Sequence, residues 1–222
     1  KSLKVLVFIL GLAAVLELWG IKIGPIIAGL GLFGVAVALG AQDLFKNLIS
    51  GIMILLEKRF QLGDVIKVPG HTEGIVEHIG FRSTLIRKFD STPITLPNYI
   101  FAEAPILNYT NRNYRRINWT IGLEYNSTLD QIKKLTESIS SHLSDSKNFI
   151  VNDNYKSFVR LEKFNDSSID ILVICFTSTK DWDKYLEIKE ELAMFIKQKV
   201  ENLNLSFAFP SQSIYIEKNT KE

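Results

Sequence analysis

The fold is decided by residues 24–42, which read GPIIAGLGLFGVAVALGAQ. These nineteen residues include no charged side chain. As a helix they would extend roughly 28 Å, about the thickness of the hydrocarbon core of a bilayer. Another uncharged stretch, residues 5–16, precedes them, and its apolar character continues past Glu17 to Trp19. Two such stretches in tandem favour membrane helices at 1–22 and 24–58 over a secretory signal or a buried helix of a soluble protein.

Charge is distributed unevenly along the chain. Residues 1–56 contain six charged side chains and eight of the thirteen glycines. The rest of the chain carries equal numbers of acidic and basic side chains, so the net charge of +2 belongs to the apolar section. The soluble part therefore lacks the basic excess that is typical of nucleic-acid binders. The single cysteine, Cys175, excludes an intrachain disulfide and weakly favours a reducing compartment.

Basic residues flank the two apolar stretches on their outer sides. The connector between the stretches has only Lys22, whereas the outer flanks carry Lys1, Lys4, Lys46, Lys58 and Arg59. Cytoplasmic flanks of membrane helices are enriched in Lys and Arg. We therefore expect a multi-pass protein with both outer flanks, and everything after Arg59, in the cytoplasm.

The second apolar stretch has a distinctive pattern of small residues. Ala28, Gly31, Val35 and Leu39 follow one another at steps of three and four, which places them on one helix face. Small residues allow close helix packing in lipid, and we expect this role for Ala28, Gly31, Gly34, Ala36, Ala38 and Gly40. If several copies surround an axis, Val35 and Leu39 would form apolar rings that close a pore by dewetting. An ordinary packed helical bundle is the alternative.

A change in helix direction is expected at the end of this stretch. Gly40 would ease a bend, and Asp43 could cap a new helix at the membrane edge. The new helix is predicted to be amphipathic, with polar Lys46, Asn47 and Ser50 opposite an apolar side. The sequence therefore predicts a kinked pore helix followed by an interfacial helix.

The soluble part divides into two domains. Residues 59–110 contain strand-like stretches at 64–68, 73–79, 81–89 and 94–96, separated by Gly and Pro, which indicates a small all-β domain. Residues 111–209 predict the order βαββαβ, which is ferredoxin-like α+β. Within that domain, residues 127–130 resemble a capping box, and a last strand is expected at 205–209. In the remaining segment, 210–222, a strand at 213–217 has no partner in its own chain, unless this end is a frayed tail.

Ordered motifs occur at residues 31–42, 47–51, 60–64, 74–80, 82–84 with 87, 94–98 and 207–212. Together they resemble the MscS-type mechanosensitive channel family. This resemblance implies an Sm-like barrel for the β-domain and an intersubunit parallel barrel for the C-terminal strand. It also implies a homoheptamer whose hydrophobic gate falls on Val35 and Leu39. The expected function is a tension-gated channel of the bacterial inner (cytoplasmic) membrane that needs no cofactor and releases ions and small osmolytes during hypoosmotic shock.

Three positions depart from the family pattern. The first gate position, often leucine, is Val35; a position often occupied by a kink-forming glycine is Asp43; and Arg59 replaces a common proline. Relatives also have further helices before the two found here. We therefore expect the sequence to be incomplete at its start.

Other functions have less support in the sequence. RNA binding to the β-domain would depend on His71, His78, Arg82, Arg87 and Lys88, against a neutral overall charge. Cys175 lies in an apolar strand pattern, and no group of His, Cys and carboxylate residues has metal-ligand spacing, so we expect no metal site and no enzyme. Two alternatives remain: a ligand-gated channel of the same architecture, and a non-conducting membrane scaffold.

Overall fold

The computed structural model describes residues 1–212, apart from the side chains of residues 2, 3 and 6. The backbone divides into two compact units, Lys1–Thr110 and a second that begins at Asn111. The strand predicted at 213–217, and with it most of the segment 210–222, lies outside the described residues.

The first unit starts with two helices, α1 (Ser2–Leu18) and α2 (Gly24–Glu57). Gly20, in the turn between them, has a φ of +82°, which glycine adopts at little cost. Pro25 lies in the first turn of α2, where its missing N–H removes no helical hydrogen bond. The helix ends at Lys58, whose backbone is left-handed.

Among residues 1–212, α2 is the one helix long and apolar enough to cross a membrane. Its 34 residues correspond to a length of about 51 Å, and its most apolar window has a mean hydropathy of 2.0 with none of that window buried. The apolar part of α1, Val7–Leu18, is shorter. The membrane span predicted at 1–22 therefore stays a prediction.

The structure corrects the expectation of a separate interfacial helix. Gly40 and Asp43 both lie inside α2, and Asp43 does not cap a new helix. Neither residue removes a helical hydrogen bond as proline does, and a glycine inside a helix costs only about 1 kcal/mol relative to alanine. In addition, the Asn47 side-chain amide donates to the Asp43 carbonyl oxygen at 2.8 Å. A bend of α2 at these residues stays a prediction.

The rest of the first unit is a small β-rich domain, as predicted; its likeness to an Sm-like barrel stays a prediction. Its five strands form one antiparallel sheet in the order β4-β3-β2-β1-β5. The elements are β1 (Val65–Val68), β2 (Thr72–Ile79), β3 (Ser83–Arg87), β4 (Pro93–Pro97), α3 (Asn98–Glu103) and β5 (Leu107–Asn108). Phe60 and Phe101 lie in its core with ring centroids 5.2 Å apart, together with Ile54 from α2. The sequence did not predict α3 or the two-residue strand β5.

The second unit has the predicted α+β order from its first strand to its second helix. It comprises β6 (Arg115–Leu123), α4 (Leu129–Asp145), β7 (Phe149–Ile150), β8 (Phe158–Phe164), β9 (Ile169–Thr177) and α5 (Trp182–Asn202). Strand β9 is central and pairs antiparallel with β6 on one side and with β7 and β8 on the other. Alternate side chains of β6 and β9 form one core with buried residues of α4 and α5. This arrangement confirms the ferredoxin-like prediction, to which β7 is an unpredicted addition.

Two details of the second unit differ from the sequence-based expectation. The N-cap of α4 is Thr128, and its capping box is completed by Gln131 rather than by Ser127 with Asp130. The Gln131 side chain accepts from the Thr128 N–H at 2.9 Å and also donates to the Leu203 carbonyl at 2.8 Å, a long-range bond that Asp130 cannot donate. The strand expected at 205–209 is reduced to one bridge, Leu123 to Phe207. Pro210 follows shortly after and has no N–H with which to extend the pairing.

Candidate functional site

The predicted gate residues lie on an open face of α2. We call Ala28, Gly31, Val35 and Leu39 the gate face. Val35 is 56% exposed and Leu39 is 66% exposed, so this chain does not cover the two bulkier members. Such apolar side chains become buried only against lipid or another protein chain. Their role as a gate stays a prediction.

The small residues of α2 are equally uncovered within the chain. A methyl group added at Gly31, Gly34 or Gly40 would meet no atom of another described segment within 4 Å. Ala36 and Ala38, between them, are also exposed. No packing inside the chain therefore requires small residues here, which leaves helix contacts between copies as their predicted role.

The C-terminal part of α2 is packed against the β-domain instead. Asn47, Ser50, Gly51 and Ile54 recur at helical spacing and are the buried residues of α2. A Cβ at Gly51 would lie 2.6 Å from the Asn98 amide nitrogen and 2.7 Å from the Phe81 carbonyl oxygen. Only glycine fits that approach. We call this contact between α2 and the β-domain the junction.

Asn98 is the polar centre of the junction. It is fully buried, and its Oδ1 accepts a hydrogen bond from the Thr84 hydroxyl at 2.8 Å. Its Nδ2 donates to the carbonyl oxygens of Gly80 at 2.8 Å and Phe81 at 3.0 Å. Its own backbone N–H donates to the Arg82 carbonyl. Because every side-chain polar atom is bonded, Asn98 is held in one position, opposite Gly51.

Two residues of α2 add polar contacts to the junction. The Asn47 side-chain oxygen accepts from the Tyr99 backbone N–H at 3.3 Å. Lys46 forms an ion pair with Glu103 at 2.7 Å, and its ammonium lies 4.5 Å from the centre of the Tyr99 ring. Sequence analysis placed Lys46, Asn47 and Ser50 on a polar helix side but missed what that side contacts. The spacing of Asn47, Ser50 and Gly51 in an apolar helix was the signal for a covered polar face.

A cavity of about 490 Å³ lies beside the junction, within the first unit. Asp43 and Arg82 line it, together with Lys46, Asn47, Ser83, Thr95, Pro97 and Tyr99. Asp43 is exposed, and it forms no ion pair with any residue of the described part of the chain. Asp43, the residue of the predicted bend, therefore places a solvent-exposed carboxylate next to the junction.

Two side chains of the second unit that could take part in catalysis, Cys175 and His142, lie in apolar packing. Cys175 is buried in β9, and burial raises the pKa of its thiol to about 12, far from a nucleophilic thiolate. His142 stacks on Phe195 with ring centroids 3.9 Å apart, and burial lowers its pKa. Within residues 1–212, no three His, Cys, Asp or Glu side chains are grouped so that they could hold a metal ion.

Two of the five side chains that would support RNA binding are already paired. Arg87 forms a bidentate contact with Glu77, which lowers the pKa of that carboxyl, and also donates to the Ser91 carbonyl at 2.8 Å. Lys88 is 3.4 Å from the Asp90 carboxylate. These cations would have to exchange partners before they could bind phosphate.

Comparison with known proteins extends over nearly the whole chain. Three family models match in sequence order: "Mechanosensitive ion channel, transmembrane helices 2/3" at residues 1–42, "Mechanosensitive ion channel, beta-domain" at 43–111, and "Mechanosensitive ion channel MscS, C-terminal" at 117–207. The boundary at residue 42 falls one residue before Asp43, inside α2.

Individual relatives are described in the same terms. An uncharacterized MscS family protein of Aquifex aeolicus is 40% identical over the whole of this chain. The small-conductance mechanosensitive channel MscMJ of Methanocaldococcus jannaschii is 39% identical over 99% of it. The chain spans 59% and 61% of the lengths of these two relatives. The crystal structure of Helicobacter pylori MscS in a closed state is similar at a TM-score of 0.76 and 26% identity, over 97% of this chain and 82% of that one.

Proposed function

The chain belongs to the MscS family of mechanosensitive ion channels, and from that premise we propose that it is one subunit of a tension-gated channel. The observation that carries this proposal is α2. Its first part presents an uncovered face of small and apolar residues, and its last part is locked into a soluble domain. Copies arranged around an axis, seven by family resemblance, would bury the small residues and place Val35 and Leu39 around a pore.

Gating follows from the apolar character of the gate face. A narrow ring of Val35 and Leu39 side chains offers water no hydrogen bonds, so the closed pore empties of water without being plugged. Membrane tension favours the state with the larger area in the membrane plane. Tilting or sliding of α2 along its Gly and Ala contacts then widens the rings until they fill with water.

The junction supplies the connection between pore and soluble domain. Because Gly51 lies against a fully bonded Asn98, the end of α2 cannot shift without moving the β-domain or breaking those contacts. The β-domain therefore takes part in each change of α2. This coupling distinguishes the chain from a helix tethered to its soluble domain by a flexible linker.

The physiological role we propose is release of ions and small osmolytes across a bacterial inner membrane during hypoosmotic shock. The flanking basic residues support a cytoplasmic location for both soluble domains. Solutes would leave down their gradients once tension opens the pore.

Patch-clamp recording of the full-length protein in liposomes under graded suction tests the function. Discrete currents that appear above a threshold of suction, and are missing from protein-free liposomes, are the expected result. Silence at every tension short of rupture would contradict tension gating and would favour a ligand-gated channel or a scaffold. Separate recordings with candidate ligands added to the soluble-domain side would then distinguish those two.

A further inference from the structure

Asp43 is the first charged side chain after the apolar stretch of α2. No charged residue lies between Lys22 and Asp43. Because α2 is uninterrupted, Asp43 follows Leu39 by four helical residues and is its neighbour on the helix surface, displaced by about 40° around the axis and about 6 Å along it. A pore lined by Leu39 therefore has Asp43 beside it, one turn nearer the β-domain.

The charged side chains around Asp43 differ in whether another side chain of the chain already pairs with them. Asp43 is exposed and forms no ion pair with a described residue. The next charge along α2, Lys46, is held by Glu103 at 2.7 Å and lies against the Tyr99 ring. Arg82 lines the same cavity as Asp43, but it comes from the β-domain rather than from the helix that carries the gate. The first available charge beyond the gate is therefore negative.

We propose that the Asp43 carboxylates of the assembled subunits form a ring at the β-domain end of the pore that favours cations over anions. This inference rests on the proposed channel function and adds an ion preference to it. Rings of acidic side chains select cations because each passing ion experiences several carboxylates at once. The field of such a ring extends about 10 Å at 0.1 M salt and about 3 Å at 1 M, so the preference weakens as salt rises.

Reversal potentials under a KCl gradient measure this preference in tension-activated patches. Asp43→Asn is expected to lower the ratio of potassium to chloride permeability at least about twofold, and Asp43→Lys to reverse the preference. Asp43→Glu keeps the charge and should keep the ratio. Glu57→Gln is a control on the same helix about 21 Å further along, where it removes a carboxylate that is paired with Arg59.

The outcomes separate this inference from the channel function itself. Tension-activated currents with the same permeability ratio in the wild type, Asp43→Asn and Asp43→Lys would overturn the ring and leave the channel. A larger change in Arg82→Gln than in Asp43→Asn would assign the preference to the β-domain and overturn the role of Asp43. A wild type that passes no current under tension would overturn both proposals.

Discussion

Leu39 is a large apolar residue that the single chain leaves exposed. It is 66% exposed in the single chain, although leucine is among the residue types most often buried in folded proteins. Its neighbours on the gate face are also uncovered. A polar substitution at this position therefore costs the isolated subunit little, and in the proposed channel it acts on the ring of Leu39 side chains.

Replacing Leu39 with serine tests the gate. A hydroxyl in the constriction hydrogen-bonds water, so the pore fills at a smaller diameter, and Leu39→Ser channels should open at lower tension. Threshold suction in liposome patches, normalised to a reference channel in the same patch, measures the shift. Leu30→Ser, on the opposite side of α2, is the control and should leave the threshold closer to the wild type. An unchanged threshold in Leu39→Ser would remove Leu39 from the gate.

Gly51→Ala tests the junction. The added methyl group would approach the Asn98 amide and the Phe81 carbonyl at 2.6 and 2.7 Å, and neither can move freely, so we expect destabilisation of about 1–3 kcal/mol. The thermal unfolding midpoint of the purified protein in detergent should fall. Gly11→Ala is the control: its methyl group would meet nothing within 4 Å in the chain, and alanine is the better helix former. Equal midpoints for the two variants would contradict the tight approach at Gly51.

At the residue scale, the junction residues belong to motifs that the sequence shows, but neither the junction nor its contacts were predicted. Asn47, Gly51, Thr84 and Asn98 all lie in the motifs that carried the family resemblance. Nothing in helical or strand periodicity links Gly51 to Asn98, because the two are far apart in sequence and meet only through the tertiary fold. The gate face, by contrast, depends on local spacing alone and could be proposed from the sequence.

At the scale of single elements, the packing of α4 on α5 contains a titratable contact. His142 stacks on Phe195 and lies edge-on to Phe149. Burial is the main reason that its pKa is lowered; Glu191 and Asp145 act in the opposite direction, and Lys199 adds to the lowering. The packing of α4 on α5 therefore favours the neutral form of the His142 imidazole.

This contact predicts that the α4–α5 packing weakens in acid. Because the folded pKa lies below the ordinary value of 6.5, the unfolded chain takes up the proton first as pH falls. His142 therefore makes its full contribution to the stability of the folded state above pH 6.5. That contribution decreases as the pH falls below 6.5. Hydrogen exchange of α4 and α5 in the whole protein, corrected for intrinsic rates, should show less protection at pH 5.5 than at pH 7.5. His142→Phe keeps a stacked ring and should flatten this dependence; an equally steep dependence in that variant would exclude His142 as its source.

Most elements were predictable, and the exceptions have physical reasons. Both helices of the second unit have strong apolar periodicity, and β9 is a nearly continuous apolar run, which local sequence reveals. The two-residue strands β5 and β7 have too few residues to show alternation. The predicted break at Asp43 was wrong as a helix boundary because polar and glycine residues lower helix propensity without preventing helix formation.

At the scale of the whole molecule, the small residues of α2 predict an effect on assembly. Gly34→Leu or Ala38→Leu adds bulk where close helix approach is expected and should reduce the oligomeric fraction. Size-exclusion chromatography with light scattering in detergent measures that fraction. Leu32→Met, a volume-conserving change on the same helix, is the control. Normal oligomers with normal gating in both bulky variants would contradict the packing role.

The domain order could be predicted because each domain has its own composition. The uncharged stretches, the Gly- and Pro-punctuated strands and the alternating α+β section are distinct in the sequence. The uncovered faces of α2 could not be assigned a partner in the same way, because a single chain specifies only one side of any contact between copies.

Because α2 is one long helix, a small tilt corresponds to a large displacement of one of its ends. A rigid helix of about 51 Å that tilts by about 10° around one end displaces its other end by roughly 9 Å. Since the last turns of α2 pack against the β-domain, a tilt of the whole helix about its apolar end would move the β-domain through the surrounding water. A dye attached to the β-domain could therefore report what the lipid does to the opposite end of the helix.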